Sequence, residues 1–289
     1  MRLDQYVATH LGLSRSQAAK AIREGHVRCN GHRVTKASRR ISEGDTVTLE
    51  EGAENIFLKP KTSNLKPPLV PLLYEDDACI VVNKPQNIAV APLLDLLKKQ
   101  QNLPSLLLAH RLDKGTSGCL LLAKSAKSCE ALQKQFQERT VHKKYLAVIA
   151  GIPAESEATI DAPVGRNLTN RKKMSLFRTS KSRSAVTHYR ILSKGTEAAL
   201  LECVIHTGRT HQIRVHMRAI GHPILGDTAY GNAESESLSE KHDIASPCLH
   251  ARMLSFHSPE TKEQLVVRAP IPESFQEVTR KLDLALPIP

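Results

Sequence analysis

Short apolar runs recur along the chain after residue 70, and they limit the folds that it can adopt. The runs are at 79–82, 120–123, 145–150, 198–205 and 265–267. Apolar runs of this length are typical of buried β-strands. Residues 126–136 instead have the amphipathic spacing of a helix. Many strands with fewer helices, in no strict alternation, predict an α+β domain built on a largely antiparallel mixed sheet.

The first 58 residues have a different pattern and predict a separate small α/β domain. Apolar residues at helical spacing indicate two short helices, and the second ends at Gly25, a residue type that favours helix C-termini. Asn30-Gly31 is a hairpin signal between strand-like segments. Residues 59–70 are rich in Pro and polar residues, as in a linker. We therefore predict domains at 1–58 and 71–289, joined by this linker.

Charge indicates the class of partner. The 289-residue chain has 41 Lys and Arg residues against 29 Asp and Glu residues, a net charge of +12 at pH 7. Such an excess favours a polyanion, either a nucleic acid or an acidic membrane surface. No stretch approaches the ~20 apolar residues of a membrane span, and the N-terminus has no recognisable secretory signal. These features predict a cytoplasmic protein that does not insert into a membrane.

The sequence contains no recognisable metal or cofactor motif. The six cysteines are scattered, without a Cys-x-x-Cys pair, as expected for free thiols in a reducing compartment. His206, His211 and His216 recur every five residues, but in a strand successive members of such a series point to opposite faces. Neither a Gly-x-Gly-x-x-Gly motif nor a Walker-type loop occurs. We therefore expect neither a metal nor a cofactor.

Basic residues near the N-terminus coincide with motifs of a known RNA-binding module. The chain resembles the small domain shared with ribosomal protein S-four at RLD (2–4), SRSQA (14–18), IREGHV (22–27), Asn30-Gly31 and Gly44-Asp45. The resemblance implies that cations of this domain bind RNA phosphates, which positions RNA without reading its sequence. The candidate RNA contacts are Arg2, Arg15, Lys20, Arg23, Arg39 and Arg40. The alternative is an ordinary solvated helical face.

One polar motif directly precedes an apolar run. Residues 110–118 read HRLDKGTSG, which places Asp113 between Arg111 and Lys114, ahead of a Gly-Thr-Ser-Gly turn. A carboxylate there can act as a nucleophile or base in a site that otherwise attracts phosphate. On an extended segment, Arg111 shares a face with Asp113. By itself, however, an Asp in this position is more often a turn cap or an ion-pair partner.

Four segments of the second domain resemble the RluA branch of the pseudouridine synthases. They are 73–77 with 83–85, 110–124, 143–151 and 207–231. The resemblance implies the pseudouridine synthase fold and the isomerisation of uridine to pseudouridine in RNA. In that reaction the bond from ribose C1′ to uracil N1 breaks, the base turns, and C5 bonds to C1′. The chain departs from the family pattern at Asn87, near the place of a glycine, and at Ala91-Pro92, in place of a His-Pro pair.

The resemblance also implies roles for five residues. Asp113 is the carboxylate that attacks carbon or removes a proton at the sugar, and Arg214 keeps it ionised, since a nearby guanidinium favours the charged form. Tyr145 stacks on the uracil, and its hydroxyl can help to move the C5 proton. Ile213 forms an apolar wall of the base pocket. Arg111 contacts the flipped nucleotide or fills the space that it leaves. Outside this motif context, Tyr145 would be a core residue and Arg111 a surface phosphate contact.

We therefore predict an RNA pseudouridine synthase that acts as a monomer, with large-subunit ribosomal RNA favoured as its substrate and transfer RNA as the alternative. A basic loop formed by Arg166, Arg171, Lys172, Lys173 and Arg178 is expected to hold an RNA stem. A non-catalytic RNA-binding or ribosome-assembly factor is a rival class, against which the intact Asp113, Tyr145 and Arg214 argue. A glycosidase with paired carboxylates is another, but no second acid stands out beside Asp113.

Overall fold

The computed structural model describes residues 1–10, 15–42, 44–50, 69–171, 173–177 and 179–287, without the side chains of residues 15–17. The Arg15 side chain, Lys172, Arg178 and most of the predicted linker therefore lie outside the described residues. The chain divides into two compact units, Met1–Pro68 and Leu69–Pro289. The predicted domain boundaries at residues 58 and 70 stay a prediction.

The first unit contains two helices and a small antiparallel sheet of order β2-β1-β3. Its elements are α1 (Leu3–His10), α2 (Arg15–Arg23), β1 (Val27–Cys29), β2 (His32–Arg33) and β3 (Val47–Leu49). Asn30 and Gly31 join β1 to β2 with φ values of 50° and 77°, the left-handed conformations that a tight hairpin turn requires. Leu3, Val7 and Ile22 are fully buried in a core between the helices and the sheet.

The second unit is larger and contains thirteen strands and five helices among its described residues. The strands are β4 (Leu72–Glu75), β5 (Cys79–Lys84), β6 (Leu107–Leu108), β7 (Ser117–Ala123), β8 (His142–Ala150), β9 (Glu157–Asp161), β10 (Val164–Asn167), β11 (Met174–Ser175), β12 (Thr179–Arg183), β13 (Val186–Lys194), β14 (Ala198–Ile205), β15 (Leu249–His257) and β16 (Gln264–Arg268). The helices are α3 (Val90–Gln100), α4 (Ala126–Gln137), α5 (Gln212–Ala219), α6 (Ala233–Lys241) and α7 (Glu273–Lys281).

Ten of these strands form one sheet. Eight follow the order β4-β5-β7-β15-β8-β14-β13-β9, while β6 pairs with β7 and β16 pairs with β15. Within the described residues, β7 and β15 are the one parallel pair of this sheet, so the predicted α+β fold on a largely antiparallel mixed sheet is confirmed. Strands β10, β11 and β12 form a separate small sheet.

The central strands are covered on both faces, which explains their continuous apolar runs. All seven residues of β7 are buried, and its side chains alternate between two apolar clusters on opposite faces of the sheet. One cluster packs against α3 through Leu93 and Leu97, and the other against α4 through Leu132. Burial on both faces removes the polar alternation of a half-exposed strand. No helix in the described ranges has the length and apolar character of a membrane span.

The treatment of residues 206–216 as a strand is wrong. Strand β14 ends at Ile205 and α5 begins at Gln212. The Gln212 side chain accepts hydrogen bonds from the Thr207 hydroxyl (2.7 Å) and the Arg209 backbone N–H (3.1 Å), and these bonds hold the connecting turn. The two ring nitrogens of the buried His216 form hydrogen bonds with the Thr187 hydroxyl and the Ala162 carbonyl instead of binding a metal ion. No cluster of three or more potential metal ligands occurs in the parts of the chain that are described.

Candidate active site

An open cavity lies between the segment before β7, strand β8 and the start of α5, with about 490 Å³ of empty space including the solvent at its mouth. The five residues that the RluA resemblance singles out all line it: Arg111, Asp113, Tyr145, Ile213 and Arg214. They come from three parts of the sequence about 30 to 70 positions apart. The sheet and α5 therefore assemble a single site from residues that the chain keeps distant.

The turn that carries Asp113 is fixed by the parallel pairing of β7 with β15. The Asp113 carbonyl accepts a hydrogen bond from the Thr116 N–H (3.1 Å), and Ser117 and Gly118 then pair with His250 and Ala251. Gly118 has φ +107°, and a Cβ there would lie 2.3 Å from the Ala251 carbonyl oxygen. Only glycine fits this approach, so the Gly-Thr-Ser-Gly sequence sets where Asp113 meets the cavity.

Lys84 supports the same turn from inside the protein. Its side chain is fully buried at the end of β5, and its ammonium donates to the carbonyls of Pro85 (2.9 Å), Ile88 (2.8 Å) and Lys114 (3.2 Å). Burial lowers the pKa of Lys84 to about 8, and the charge of Asp113 opposes this shift. Sequence reasoning gave Lys84 no role, although a lysine that ends an apolar strand and precedes a proline was a usable signal.

Arg214 lies between two carboxylates. Its Nε and Nη2 donate to the two oxygens of Asp227 at 2.6 and 2.8 Å, and its Nη1 faces Asp113 Oδ2 at 3.5 Å. Burial by itself lowers the pKa of Arg214, but the hydrogen bonds and charge of Asp227 outweigh it and raise the pKa. Arg214 therefore stays cationic beside Asp113, and it also lies 5.0 Å from the Tyr230 ring centre.

Tyr145 and Ile213 contribute to the apolar part of the cavity, together with Leu112, Ile205 and Leu249. The side chains of Tyr145 and Ile213 are buried, at 7% and 4% relative exposure, on β8 and α5 respectively. Burial, followed by the charge of Asp113, raises the pKa of Tyr145. Its hydroxyl therefore stays protonated at neutral pH. The departure at Asn87 leaves the nearby turn intact, since Asn87 adopts φ 67°, a conformation that Asn tolerates.

Three residues that sequence reasoning left without a role surround Asp113 and Arg214. His211 Nε2 lies 3.9 Å from Asp113 Oδ1, and His211 Nδ1 lies 2.8 Å from the Tyr230 hydroxyl. Burial lowers the pKa of His211, although Asp113 opposes the shift. Asp227 holds Arg214, as described above. Asp227 and Tyr230 fall within the fourth segment of the resemblance, and that position is the sequence signal that could have identified them. From the sequence, His211 is considered only as a possible metal ligand.

No pair of catalytic carboxylates is present among the described lining residues. Asp113 is the one acidic side chain that lines the cavity in this part of the chain. Asp227 is buried, and besides Arg214 its oxygens accept from the backbone N–H of Ala229 (3.1 Å) and Tyr230 (3.3 Å). Asp227 faces Arg214 and does not line the cavity, so it is not placed to act as the second acid that a glycosidase requires.

The candidate RNA-binding residues of the first unit lie at its surface where they are described. Arg2 forms a two-pronged ion pair with Asp4 (2.9 and 3.0 Å), and Lys20 lies 3.8 Å from Glu24. Arg23, Arg39 and Arg40 are exposed. Arg166, Arg171 and Lys173 of the predicted basic loop lie on or beside the small β10–β12 sheet of the second unit.

Known proteins are similar to the chain in both sequence and fold. The family model described as RNA pseudouridylate synthase matches residues 78–219, and the S4 domain model matches residues 1–47. A Bacillus subtilis relative, "Uncharacterized RNA pseudouridine synthase YlyB", is 35% identical over 300 residues, which cover 97% of this chain and 94% of the relative. The chain belongs to the RNA pseudouridine synthase family.

Further members of the RNA pseudouridine synthase family agree with this assignment. "Ribosomal large subunit pseudouridine synthase D" of Vibrio cholerae is 36% identical over 301 residues, covering 97% of this chain and 91% of that protein. The solved structure of "Human RNA Pseudouridylate Synthase Domain Containing 4" has a TM-score of 0.63 and 29% identity, and the match covers 75% of this chain and 95% of that one. The predicted RluA-type family, S-four-like domain and isomerase class are confirmed.

Proposed function

We propose that this RNA pseudouridine synthase converts specific uridines of large-subunit ribosomal RNA to pseudouridine, with Asp113 as its one catalytic carboxylate. The observation that carries the catalytic assignment is the position of Asp113: it is the one described acid lining the cavity, 3.5 Å from a guanidinium that stays cationic. The name of the Vibrio cholerae relative supports ribosomal RNA as the substrate, and transfer RNA is the alternative.

The reaction exchanges one bond to ribose C1′ for another. Asp113 either adds to C1′ or removes a proton from the sugar, and the bond from C1′ to uracil N1 breaks. The detached base turns within the cavity and its C5 bonds to C1′, while the bond from Asp113 to C1′ breaks or, in the second case, Asp113 returns the proton to the sugar. C5 then loses its proton and N1 gains one, so the product is an isomer of the substrate. Arg214 places a positive charge 3.5 Å from the Asp113 carboxylate throughout this sequence.

The apolar residues hold the base while it is detached. Tyr145 stacks on the uracil and Ile213 forms an apolar wall of the pocket, which keeps the base from leaving. Because burial raises the pKa of Tyr145, its hydroxyl acts as a hydrogen-bond donor, and a phenolate base at neutral pH is disfavoured. Arg111, which is exposed at the cavity, contacts the flipped nucleotide or fills the place that it left.

RNA binding depends chiefly on cations. Extrusion of a base from its stack costs a few kcal/mol, and aromatic residues make up only 3% of the chain, too few for a long stacking surface. The S4 domain and the basic residues near β10–β12 bind phosphates and recognise RNA shape. The enzyme acts as a monomer. It works in the cytoplasm, where its RNA is made and assembled.

Tritium release from RNA labelled at uridine C5 tests the proposal. The full chain is incubated with unmodified transcripts of large-subunit ribosomal RNA or of transfer RNA. Release is expected from the ribosomal transcripts and is expected to disappear in Asp113→Asn while RNA binding persists. Asp95→Asn, an exposed site on α3, is the matched control and should release tritium normally.

Three results would contradict the proposal. Persistent release by Asp113→Asn would exclude this carboxylate as the catalytic group. Release of tritium from transfer RNA alone would make transfer RNA the substrate in place of ribosomal RNA. No release from either RNA by the native chain would favour a non-catalytic RNA-binding protein.

A further inference from the structure

A second cavity adjoins the one that contains Asp113. It is open, with about 1080 Å³ of empty space including the solvent at its mouth, and it shares Arg111, Tyr145, Ile205, Gly208 and Arg209 with the first. Four cations line it, namely Arg111, Arg139, Lys143 and Arg209, and no acidic side chain is found among its described lining residues. A cavity of this charge beside the uracil pocket is suited to an anion.

Lys143 is the unusual member of this cluster. It lies on β8 two positions before Tyr145, so both side chains point to the same face of the sheet. The residue is only 7% exposed. Within the described parts of the chain its ammonium has no hydrogen-bond or ion-pair partner, and its one described contact is the Phe136 ring, 5.6 Å from Nζ.

The surroundings of Lys143 disfavour its charge in the free protein. Burial, followed by the charge of Arg209, lowers the pKa of Lys143 to about 8. His110 lies nearby but is neutral, because burial and the charge of Lys143 lower its pKa to about 3, and its Nε2 accepts from the Leu121 N–H (3.0 Å). Burial, followed by the positive charges of Arg183 and Arg139, also lowers the pKa of Arg209.

Access to Lys143 is open on the side of the β14–α5 turn. Gly208 has no side chain there, and a Cβ at that position would lie 3.9 Å from Lys143 Nζ. An anion that enters beside Gly208 therefore meets the Lys143 ammonium in a cavity that Arg209 also lines. Binding of the anion would relieve the repulsion within the cluster, and ionisable groups with perturbed pKa values are concentrated at functional sites.

We propose that Lys143, with Arg209 and Arg139, binds a backbone phosphate of the RNA strand next to the uridine held in the Asp113 cavity. The ligand is a phosphodiester, since RNA supplies one such group per nucleotide and the two cavities adjoin. The inference rests on the proposed RNA substrate and adds a phosphate subsite to it. Lys143 thereby sets how the strand enters, without touching the reacting atoms.

The test compares two neighbouring lysines in the full chain. Lys143→Met removes the buried charge at nearly constant shape, and Lys144→Met removes a charge from the opposite face of β8, where Lys144 pairs with Glu202 at 3.2 Å. Both are made in the Asp113→Asn background, and binding to a large-subunit ribosomal RNA transcript is measured between 50 and 200 mM salt. This readout does not require turnover, so it is separate from the tritium assay of the proposed function.

Lys143→Met is expected to weaken RNA binding about ten-fold and to reduce the salt dependence by about one phosphate contact, with no loss of thermal stability. Lys144→Met should bind RNA as the parent does. Unchanged affinity in Lys143→Met would overturn the proposal, as would a loss of affinity that accompanies a fall in thermal stability. Stabilisation of the parent by inorganic phosphate, with RNA affinity independent of Lys143, would assign the cavity to free phosphate and also overturn it.

Discussion

Arg214 and Asp227 form a two-pronged, buried ion pair at 2.6 and 2.8 Å, and this pair leaves one guanidinium nitrogen of Arg214 facing Asp113 at 3.5 Å. Asp227 thus orients the Arg214 guanidinium so that its charge faces the candidate catalytic carboxylate of Asp113. A bidentate pair fixes the plane of a guanidinium as well as its position.

Asp227→Asn is expected to impair both stability and catalysis, because the amide cannot accept both hydrogen bonds from a buried cation. The free energy of unfolding should fall by about 3 kcal/mol, and the single-turnover rate of tritium release by about 100-fold through misplacement of Arg214. Urea denaturation and rate measurements at saturating RNA check these values. The exposed Asp95→Asn should change neither, and a normal rate in Asp227→Asn would show that Arg214 needs no such orientation.

Gly118→Ala is expected to disturb the junction of β7 and β15, because the added Cβ would lie 2.3 Å from the Ala251 carbonyl oxygen. Gly221→Ala is a matched control, since Gly221 also has a positive φ (88°) but nothing within 4 Å of an added Cβ. The control should cost about 1–2 kcal/mol of stability, and Gly118→Ala about 2 kcal/mol more. Equal losses in thermal unfolding would mean that the close approach to β15 is easily relaxed.

Removal of the exposed cations Arg39 and Arg40 by the double change to Gln is expected to weaken RNA binding and flatten its salt dependence, by about one unit of slope for each phosphate that the variant no longer binds. The control is the double change Arg28→Gln with Arg33→Gln in the same unit, since both guanidiniums are held by Glu50 at 3.1 and 2.9 Å. The control removes the same charge from paired groups. If both doubles weaken binding equally, net charge and not these two residues determines affinity.

Lys143→Met is expected to change how stability depends on pH. In the folded chain the pKa of Lys143 is lowered to about 8 from its ordinary value of 10.5, so between these pH values the unfolded state binds more protons and native stability rises with pH. The variant lacks this rise. It should therefore be more stable than the native chain by about 3 kcal/mol below pH 8, and the difference should vanish near pH 10.5. A constant difference across this window would show that Lys143 titrates normally.

Much of the fold was predictable because it depends on local pattern. Continuous apolar runs marked the central strands, since burial on both faces demands them, and Asn30-Gly31 marked the hairpin that the first unit contains. The motif HRLDKGTSG pointed to Asp113, and the resemblance of four segments pointed to Tyr145, Ile213 and Arg214. The error at 206–216 arose because the Gln212 side chain, whose bonds to Thr207 and Arg209 turn the chain into α5, has no signature in hydrophobic periodicity.

The sequence by itself determined the family, the two kinds of domain and the carboxylate that marks the candidate active site, because each is encoded in residues that are close in the chain. Only the tertiary structure decided which charges surround Asp113. Lys84, Arg214 and Asp227 come from distant segments, and their hydrogen bonds and burial exist only once the sheet and α5 have packed. The charge state of Lys143 depends in the same way on burial and on Arg209, which no local pattern specifies.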